Sequence, residues 1–297
     1  MTLETQFCPD VITTIPSYPN TAFVGTYQLQ EDRSYTGSID TLLLSSSPSP
    51  TLSTTLLFDS GVFDIVHHND RLYSCHTNGS IKRFLPSSTG LISQDINKVS
   101  SSTLTSLSFC NDTLFLSAAN GDIIRCNSAT LEPTNTIQSH SYDSWCVLGL
   151  DSSTCLSGGD DAKLNVNDFR SNSVTTSFDF HEAGVTSLLA SQRESVFFSG
   201  SYDDYLIEFD LRNKKRPINK TKLPGGVWDI FPTTFSPDHL ACVCMYGGAV
   251  LLNNERQVVW NSATNDQLIY GFDVLSDGSC LIADFYGKSV SLDKIKL

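Results

Sequence analysis

The stretch Ser157-Gly158-Gly159-Asp160-Asp161 recurs 42 residues later as Ser199-Gly200-Ser201-Tyr202-Asp203-Asp204. A second motif, Gly61-Val62-Phe63-Asp64-Ile65, recurs after 165 residues as Gly226-Val227-Trp228-Asp229-Ile230, which is about four steps of similar length. Over 297 residues this spacing gives about seven repeats. A period of about 40–45 residues with four strands per unit is typical of a β-propeller. We therefore predict an all-β fold, a seven-bladed β-propeller formed by residues 1–297 as one domain.

Each repeat reads as an inner strand, a second strand, a tight turn, a third strand and an outer strand. The predicted turns are Asn78-Gly79, Asn120-Gly121, Asp161-Ala162 and Asp203-Asp204. Asn and Asp suit them because they tolerate left-handed backbone and bond the neighbouring amides. The seven inner strands are predicted to begin near Val11, Val62, Leu104, Trp145, Val185, Val227 and Ile269. The last repeat lacks an outer strand of its own, and we expect Leu3–Phe7 to supply it and so remove an exposed sheet edge. Ser45–Ser53 is interpreted as a Ser/Pro-rich connector.

Composition narrows the classes of ligand. With 19 Lys and Arg against 32 Asp and Glu, the net charge is -13, which argues against a nucleic-acid binder, because phosphate recognition needs clustered basic residues. The negative charge suits a cationic ligand or a basic partner, although it also serves solubility alone. Nine cysteines without a CxxC pair fit buried thiols in a reducing compartment. No secretory signal or apolar run of membrane-spanning length is visible, so we expect a cytoplasmic, soluble protein. We also expect it to be a monomer.

His181, Ser199 and Asp203 have the residue types of a hydrolase triad. The same three types occur one repeat earlier as His140, Ser157 and Asp161. Because a catalytic triad would not be duplicated at the repeat period, we interpret both sets as structural hydrogen-bond networks within a blade of the WD-repeat type. The usual Trp-Asp dipeptide of such repeats is replaced here by Asn167-Asp168 and Phe209-Asp210.

Two positions in each repeat are predicted to face the top of the ring, around the central channel. The positions just before the turns are Tyr27, Thr77, Ala119, Asp160, Tyr202, Met245 and Tyr286. The positions just inside the inner strands include Phe63, Thr105, Cys146, Thr186, Trp228 and Tyr270, with Asp143 and Trp145 beside them. Aromatic faces interleaved with carboxylates attract a quaternary or otherwise poorly hydrated cation. The alternative is that several of these rings only plug the channel or pack between blades.

The order of several motifs resembles one family. The motifs are Gly25-Thr26-Tyr27-Gln28-Leu29, His140 with Asp143-Ser144-Trp145, Ser157-Gly158-Gly159-Asp160-Asp161, Gly200-Ser201-Tyr202-Asp203, Gly225-Gly226-Val227-Trp228 and Tyr270-Gly271. The chain is similar in these motifs to the diphthine methyl ester hydrolases of diphthamide biosynthesis, WD-repeat proteins historically called diphthine methyltransferase. The similarity extends over residues 20–290 and is densest between 138 and 230. One departure is that this chain lacks the long insertion that some relatives carry before the last blade.

The resemblance implies an esterase acting on elongation factor 2. Such an enzyme removes a methyl ester from an over-methylated histidine derivative, and the product is then amidated to diphthamide. The substrate carries a trimethylammonium group, which fits an aromatic and acidic top face. Neither a nucleophile elbow nor a spaced metal-ligand cluster is present in the sequence, so we expect no metal and no cofactor.

Ester hydrolysis needs an activated water, a base and donors for the developing oxyanion. Our hypothesis is that Asp160 or Asp143 activates the water, with His140 as a second candidate base if its blade network is open to the channel. Tyr202 and neighbouring backbone amides would polarise the ester carbonyl. The aromatic residues expected to hold the substrate are Tyr27, Trp145, Trp228, Tyr270 and Tyr286.

Two other functions are compatible with the fold. Most WD propellers are non-enzymatic scaffolds that bind a partner protein through a broad patch. A reader of methylated lysine would use the same aromatic cage without any chemistry. Release of methanol from a methyl-esterified elongation factor would distinguish the esterase from both.

Overall fold

The computed structural model describes residues 2–44, 49–87, 89–233, 235, 238–262 and 267–296. In these ranges the chain forms seven antiparallel sheets of four strands each, and no described residue is helical. Each sheet is one blade of a ring. The predicted fold class, a seven-bladed β-propeller, is confirmed.

The chain starts with strand β1, Thr2–Glu4. Blade 1 contains β2 (Cys8–Ile15), β3 (Tyr18–Leu29), β4 (Tyr35–Leu43) and β5 (Thr51–Phe58). Blade 2 contains β6 (Val62–His68), β7 (Arg71–His76), β8 (Ser80–Ser87) and β9 (Gly90–Lys98). Blade 3 contains β10 (Leu104–Cys110), β11 (Thr113–Ala118), β12 (Asp122–Asn127) and β13 (Pro133–Gln138). Blade 4 contains β14 (Ser144–Gly149), β15 (Thr154–Gly159), β16 (Leu164–Asp168) and β17 (Ser173–Phe178).

Blade 5 contains β18 (Val185–Ala190), β19 (Val196–Ser201), β20 (Tyr205–Asp210) and β21 (Asn219–Lys222). Blade 6 contains β22 (Asp229–Pro232), β23 (Leu240–Val243), β24 (Ala249–Leu252) and β25 (Val258–Asn261). Blade 7 contains β26 (Ile269–Val274), β27 (Ser279–Asp284) and β28 (Ser289–Lys294). The inner strands therefore begin close to the predicted positions. Of the predicted connector Ser45–Ser53, residues 45–48 lie outside the described residues, and Thr51 begins β5.

The N-terminal strand closes the ring. β1 pairs antiparallel with β28 as the outer strand of blade 7, with Leu3 opposite Val290. The prediction that an N-terminal segment completes the last blade is confirmed, although the strand covers Thr2–Glu4 and ends before Phe7. Pairing the two ends of the chain in one sheet satisfies backbone groups of β28 that would otherwise form an open edge.

The four predicted turns have the expected backbone. Their second residues all have positive φ, with values of 80° for Gly79, 84° for Gly121, 60° for Ala162 and 66° for Asp204. Glycine suits this left-handed backbone at two of the turns. The Asn or Asp at the first position accepts, through its Oδ1, the backbone N–H of the residue two positions on. The turns join the second and third strands of blades 2 to 5 at the end of the ring where the inner strands begin, which we name the top face.

The hydrophobic core lies between blades. Seven clusters of buried side chains each join two neighbouring blades, including one between blades 7 and 1. Large side chains such as Phe23, Phe84 and Phe115 are fully buried in or between these clusters. Burying a side chain of this size contributes about 1.5–3 kcal/mol. Since each blade packs on both neighbours, the ring holds the inner strands rigidly around the channel.

Polar contacts also join neighbouring inner strands. The backbone N–H of Leu107 donates to Asp64 Oδ2 over 3.0 Å, from blade 3 to blade 2. Thr14 donates both its backbone N–H and its hydroxyl to Asp273 Oδ2, over 2.8 and 2.7 Å, from blade 1 to blade 7. Within the described ranges, no helix has the length and apolar character needed to cross a membrane.

Candidate functional site

Each inner strand presents one side chain to the central channel at the top face. In six blades the register between the inner and second strands skips one residue, and a β-bulge of this kind redirects the side chain of the skipped residue. The skipped residues are Asp10, Phe63, Thr105, Trp145, Thr186 and Tyr270. Trp228, immediately before β22, has the equivalent place in blade 6. These residues all line one cavity of about 90 Å³.

One predicted channel position was shifted by a residue. We expected Cys146 to line the channel in blade 4, with Trp145 beside it. The bulge falls at Trp145 instead, because Ser144 pairs with Gly159 and Cys146 with Gly158. Cys146 is buried between blades, where its Sγ lies 3.7 Å from the Val185 carbonyl oxygen. The sequence motif alone did not show where the extra residue of the bulge lies.

Six aromatic rings form a continuous arc around the mouth of the channel. The successive centroid distances are Trp145–Trp228 6.0 Å, Trp228–Tyr270 4.4 Å, Tyr270–Phe285 5.1 Å, Phe285–Tyr27 5.0 Å and Tyr27–Phe63 4.8 Å. We refer to these six residues as the aromatic arc. Four of them were among the predicted substrate-binding residues, Phe63 was predicted to face the channel, and Phe285 was missed. Aromatic pairs at such distances stabilise one another by about 0.5–1.5 kcal/mol.

Two further predicted tyrosines flank the arc. The ring of Tyr202 lies 6.2 Å from that of Trp228. Burial raises the pKa of the Tyr202 phenol, and the charges of Asp160, Asp10 and Asp143 raise it further. Its hydroxyl is therefore a neutral donor at physiological pH. Tyr286 packs on Phe285 at 5.2 Å and is 70% exposed, so it forms the outer rim of the mouth.

The predicted catalytic carboxylates lie together at the rim, in blade 4. Trp145 Nε1–H donates to Asp160 Oδ1 over 2.5 Å, and the Asp160 backbone N–H donates to the Asp143 carbonyl oxygen over 2.8 Å. Partial burial raises the pKa of the Asp143 carboxyl, and the charge of Asp160 adds to this effect. A side chain at Gly184 would collide with Asp160 Oδ1 and with the ring of Tyr202, at 2.5 and 3.0 Å from the added Cβ. Gly184 thus allows Asp160 and Tyr202 to approach the same backbone.

His140 is enclosed within its blade. Its Nδ1 lies 2.8 Å from Asp161 Oδ1 and its Nε2 lies 2.8 Å from Ser157 Oγ. The imidazole has no solvent exposure. His181 makes the same two contacts with the Asp and Ser of the next repeat, at 3.0 and 2.8 Å. The structure thus gives both histidines the geometry of a blade network and does not bring His140 into the mouth of the channel.

Three aspartates that we did not select from the sequence line the same cavity as four rings of the arc, Phe63, Trp145, Trp228 and Tyr270. They are Asp10, Asp64 and Asp229, and we refer to them as the channel acids. Asp64 and Asp229 also line the wider cavity that opens below, so they lie deeper in the channel than the arc. A signal for two of them was present, because Asp64 and Asp229 occupy the same place in the repeated Gly-Val-Phe/Trp-Asp-Ile motif.

The channel acids differ in how well the protein compensates their charge. Asp64 accepts the Leu107 N–H, which lowers the pKa of its carboxyl. Desolvation has the larger, opposite effect and raises that pKa to about 6. Asp229 is exposed to the channel and its Oδ1 accepts the Ile230 N–H over 2.7 Å, yet desolvation by the surrounding protein raises its pKa to about 7. Asp10 is 2% exposed, and its Oδ1 has no hydrogen-bond donor in the described protein.

No basic side chain is among the described residues that line this cavity. In the part of the chain that the structure describes, no three His, Cys, Asp or Glu side chains are grouped so that they could hold a metal ion. What the mouth of the channel offers is therefore a set of aromatic faces and carboxylates. This combination is suited to a cation that is weakly hydrated and makes few hydrogen bonds.

Three curated proteins that share the same name are similar in sequence to the chain. Human diphthine methyltransferase is 34% identical over 158 residues, which are 48% of this chain and 34% of that protein. Diphthine methyltransferase of Schizosaccharomyces pombe is 28% identical over 193 residues, 60% of this chain and 59% of that protein. The mouse protein is 31% identical over 162 residues, 49% of this chain and 33% of that protein. The matches thus span about a third to three fifths of the relatives' length.

Among solved structures, a chain of the crystal structure of the mitotic checkpoint complex superposes with a TM-score of 0.77. The superposition covers 100% of this chain and 91% of that chain at 13% identity, and it supports the fold alone. No protein-family model matches the chain. The chain is similar to curated proteins named diphthine methyltransferase from human, Schizosaccharomyces pombe and mouse, and the resemblance indicated by its motifs is confirmed.

Proposed function

We propose that this protein acts in diphthamide biosynthesis as an esterase that hydrolyses the methyl ester of diphthine on elongation factor 2. The observation that carries the proposal is the aromatic arc, four of whose six rings line one cavity with three carboxylates and no basic side chain among the described lining residues. The names of the similar curated proteins support the pathway. We further propose that residues 1–297 act as one domain, as a monomer and in the cytoplasm.

The arc selects the substrate through its trimethylammonium group. A quaternary ammonium donates no N–H hydrogen bond, so it is bound by ring faces and negative charge. Each aromatic contact contributes about 0.5–2 kcal/mol when the cation is desolvated. Trp228 and Tyr270, whose centroids lie 4.4 Å apart with planes inclined by 34°, are the closest pair of rings in the arc and form the proposed centre of the cage.

The rim carboxylates are then in position to act on the ester. Asp143 is our first candidate for the base, because its raised pKa makes the carboxylate more basic. Asp160 accepts the indole N–H of Trp145 and is the second candidate. The Tyr202 hydroxyl, neutral at physiological pH, donates to the carbonyl oxygen as negative charge develops on it.

In the proposed reaction the base accepts a proton from water while the water oxygen bonds to the ester carbon. The carbon–methoxy bond then breaks, and the methoxy oxygen takes the proton to leave as methanol. The acid product then loses its remaining proton to solvent and becomes a carboxylate, which carries a negative charge that the ester lacked. Because the surrounding groups are acidic, the cavity repels the product, and this repulsion favours its release.

The decisive experiment incubates the purified protein with elongation factor 2 that carries methyl-esterified diphthine. We expect release of methanol and conversion of the ester to the free acid by mass spectrometry. Binding without turnover would favour a reader of methylated ammonium groups, and neither binding nor turnover would favour a scaffold.

Substitution of the rim carboxylates tests the mechanism separately. We expect Asp143→Asn and Asp160→Asn together to lower kcat by about 10²–10⁴-fold, the usual contribution of a general base. Asp112→Asn, an exposed aspartate in the hairpin between β10 and β11, is the matched control and should retain full turnover. If both single variants and the double variant turn over ester like the wild type, the water-activation scheme is wrong.

A further inference from the structure

The channel acids have no role in the ester chemistry proposed above. We propose that the channel beneath the aromatic arc is a proton-linked binding site for a small organic cation, with Asp10, Asp64 and Asp229 as its counter-charge. This inference rests on the proposed function for the natural ligand, a quaternary ammonium. The binding of simple cations tests it without any substrate protein.

Asp10 is the strongest evidence for a ligand. Its carboxylate lines the cavity, is 2% exposed, and carries an oxygen without a donor from the described protein. Leaving a buried charged acceptor uncompensated is costly, so each such group in a folded protein calls for an explanation. A cation bound in the same cavity supplies the missing compensation.

The neighbouring threonine hydroxyls do not compensate Asp10, although the Ser106 hydroxyl does hydrogen-bond to Asp64. Thr105 and Thr186 line the cavity, yet each donates its hydroxyl to a backbone carbonyl of the next blade, at Ser144 and Val227. Those hydrogens tie the blades together and are unavailable to Asp10. The polar lining of the cavity therefore presents mainly negative charge.

The aromatic lining specifies an organic cation over a metal ion. Phe63, Trp228 and Tyr270 line the same cavity as the channel acids, and their ring faces attract a cation without requiring an N–H donor. The channel acids do not form a group that could hold a metal ion in common. A cavity of about 90 Å³ has the volume of about three liquid water molecules, which suits a compact trimethylammonium head.

Binding should depend on pH because only ionised carboxylates attract the cation. Desolvation raises the pKa of all three channel acids, to about 6 for Asp64 and about 7 for Asp229, and well above the usual range for Asp10. The other carboxyl group that faces them is Asp273, whose pKa burial raises, and the tyrosines of the mouth stay neutral. Burial also raises the pKa of the neighbouring thiols, which are those of Cys8, Cys75, Cys146 and Cys242. A bound cation favours the ionised acids, so it should bind more tightly as pH rises and should release protons on binding.

The test uses choline and its neutral isostere 3,3-dimethylbutan-1-ol as probes. The chain has three tryptophans, and Trp260 lies outside the cavity, stacked on Phe272 at 6.1 Å. In a Trp260→Phe background the fluorescence reports only Trp145 and Trp228, both of which line the site. We expect a saturable change with choline, tighter at about pH 8 than at about pH 5, and none with the isostere at equal concentration.

Asp10→Asn is the variant that isolates the counter-charge. Because it removes a buried charge, we expect it to fold, with a melting temperature at or above that of the wild type. Choline affinity should fall about tenfold or more, in line with the loss of one desolvated charge pair, while Asp112→Asn should leave it unchanged. Calorimetry in two buffers of different ionisation enthalpy should show proton release when choline binds.

Three outcomes would overturn the inference: an equal response to the neutral isostere, unchanged affinity in Asp10→Asn, or affinity independent of pH. These outcomes are separable from failure of the esterase. Choline binding without methanol release supports the site and rejects the hydrolysis. Methanol release that choline does not inhibit, with no fluorescence response, supports the hydrolysis and rejects the site.

Discussion

Asp229 lowers the stability of the fold at neutral pH, and Asp229→Asn should remove this effect. The carboxyl has a pKa of about 7 in the folded protein against an ordinary value of 3.8, because desolvation outweighs the hydrogen bond from Ile230. Between these two pH values the folded protein binds the proton more tightly than the unfolded chain, so stability falls as pH rises through that window. Above about pH 7 both states are ionised and the full penalty applies. Asparagine keeps the oxygen that accepts the Ile230 N–H.

The size of the effect follows from the shift. A pKa that rises from 3.8 to about 7 corresponds to about 4 kcal/mol, at about 1.4 kcal/mol for each unit. Because Asp229 is exposed to the channel, solvent screening reduces this figure, and we expect about 2 kcal/mol. For a chain of this size that is a rise in Tm of about 5 °C. The gain should shrink to nothing near about pH 4, where both states are protonated.

The measurement is thermal and urea denaturation of wild type and Asp229→Asn between about pH 4 and about pH 8. Asp168→Asn is the control, because its effect on stability should have the opposite dependence on pH. Its partner Arg170 lowers the pKa of the Asp168 carboxyl to about 2, so that pair stabilises the protein at neutral pH and loses its effect as pH falls. A variant at position 229 that is less stable than wild type at about pH 8, or whose stability difference is the same at every pH, would refute the reasoning.

Two further predictions concern the fold. Ser157→Ala removes the hydroxyl that lies 2.8 Å from His140 Nε2 and accepts Asn167 Nδ2–H over 2.9 Å, and we expect a loss of about 1–3 kcal/mol in stability. The pH profile of ester turnover should not move, whereas a shifted profile would show that His140 takes part in catalysis. Deletion of Thr2–Glu4 removes the outer strand of blade 7, so differential scanning calorimetry should show a lower Tm and gel filtration should show association through the exposed edge of β28. An unchanged Tm would mean that β1 does not hold the ring closed.

The blade framework was predictable because it depends on local chemistry that repeats. The Ser-Gly-Gly-Asp-Asp motif predicts a strand end and a turn, and the turn residues Ala162 and Asp204 adopt left-handed backbone as expected. The spacing of such motifs then fixes the number of blades. The closing strand followed from a missing partner in the last repeat, which the pairing of Leu3 with Val290 supplies.

The side chains of the channel were harder to predict because they depend on one extra residue per strand. The bulge sends Trp145 into the channel and buries Cys146, and hydrophobic patterns do not distinguish these two registers. Asp10 was missed because its blade has no copy of the repeated Gly-Val-Phe/Trp-Asp-Ile motif. Phe285 was missed because it joins the arc from the turn after β27 and not from an inner strand. The burial that raises the pKa of the channel acids arises only when the ring has closed.

Because of the bulge at the start of the inner strands, strand pairing constrains the flanking residues, whereas the ligand constrains the residue between them. The flanking residues, such as Val185 and Ser187, are held in the ladder by pairing with β19, while the residue between them lies outside that ladder. Exchanging such a side chain changes what the channel recognises while the strand pairing on either side of it is kept, although Thr105 and Thr186 also bond to the next blade. The channel lining therefore includes seven such positions, one from each blade, and a new ligand preference needs only a few substitutions among them.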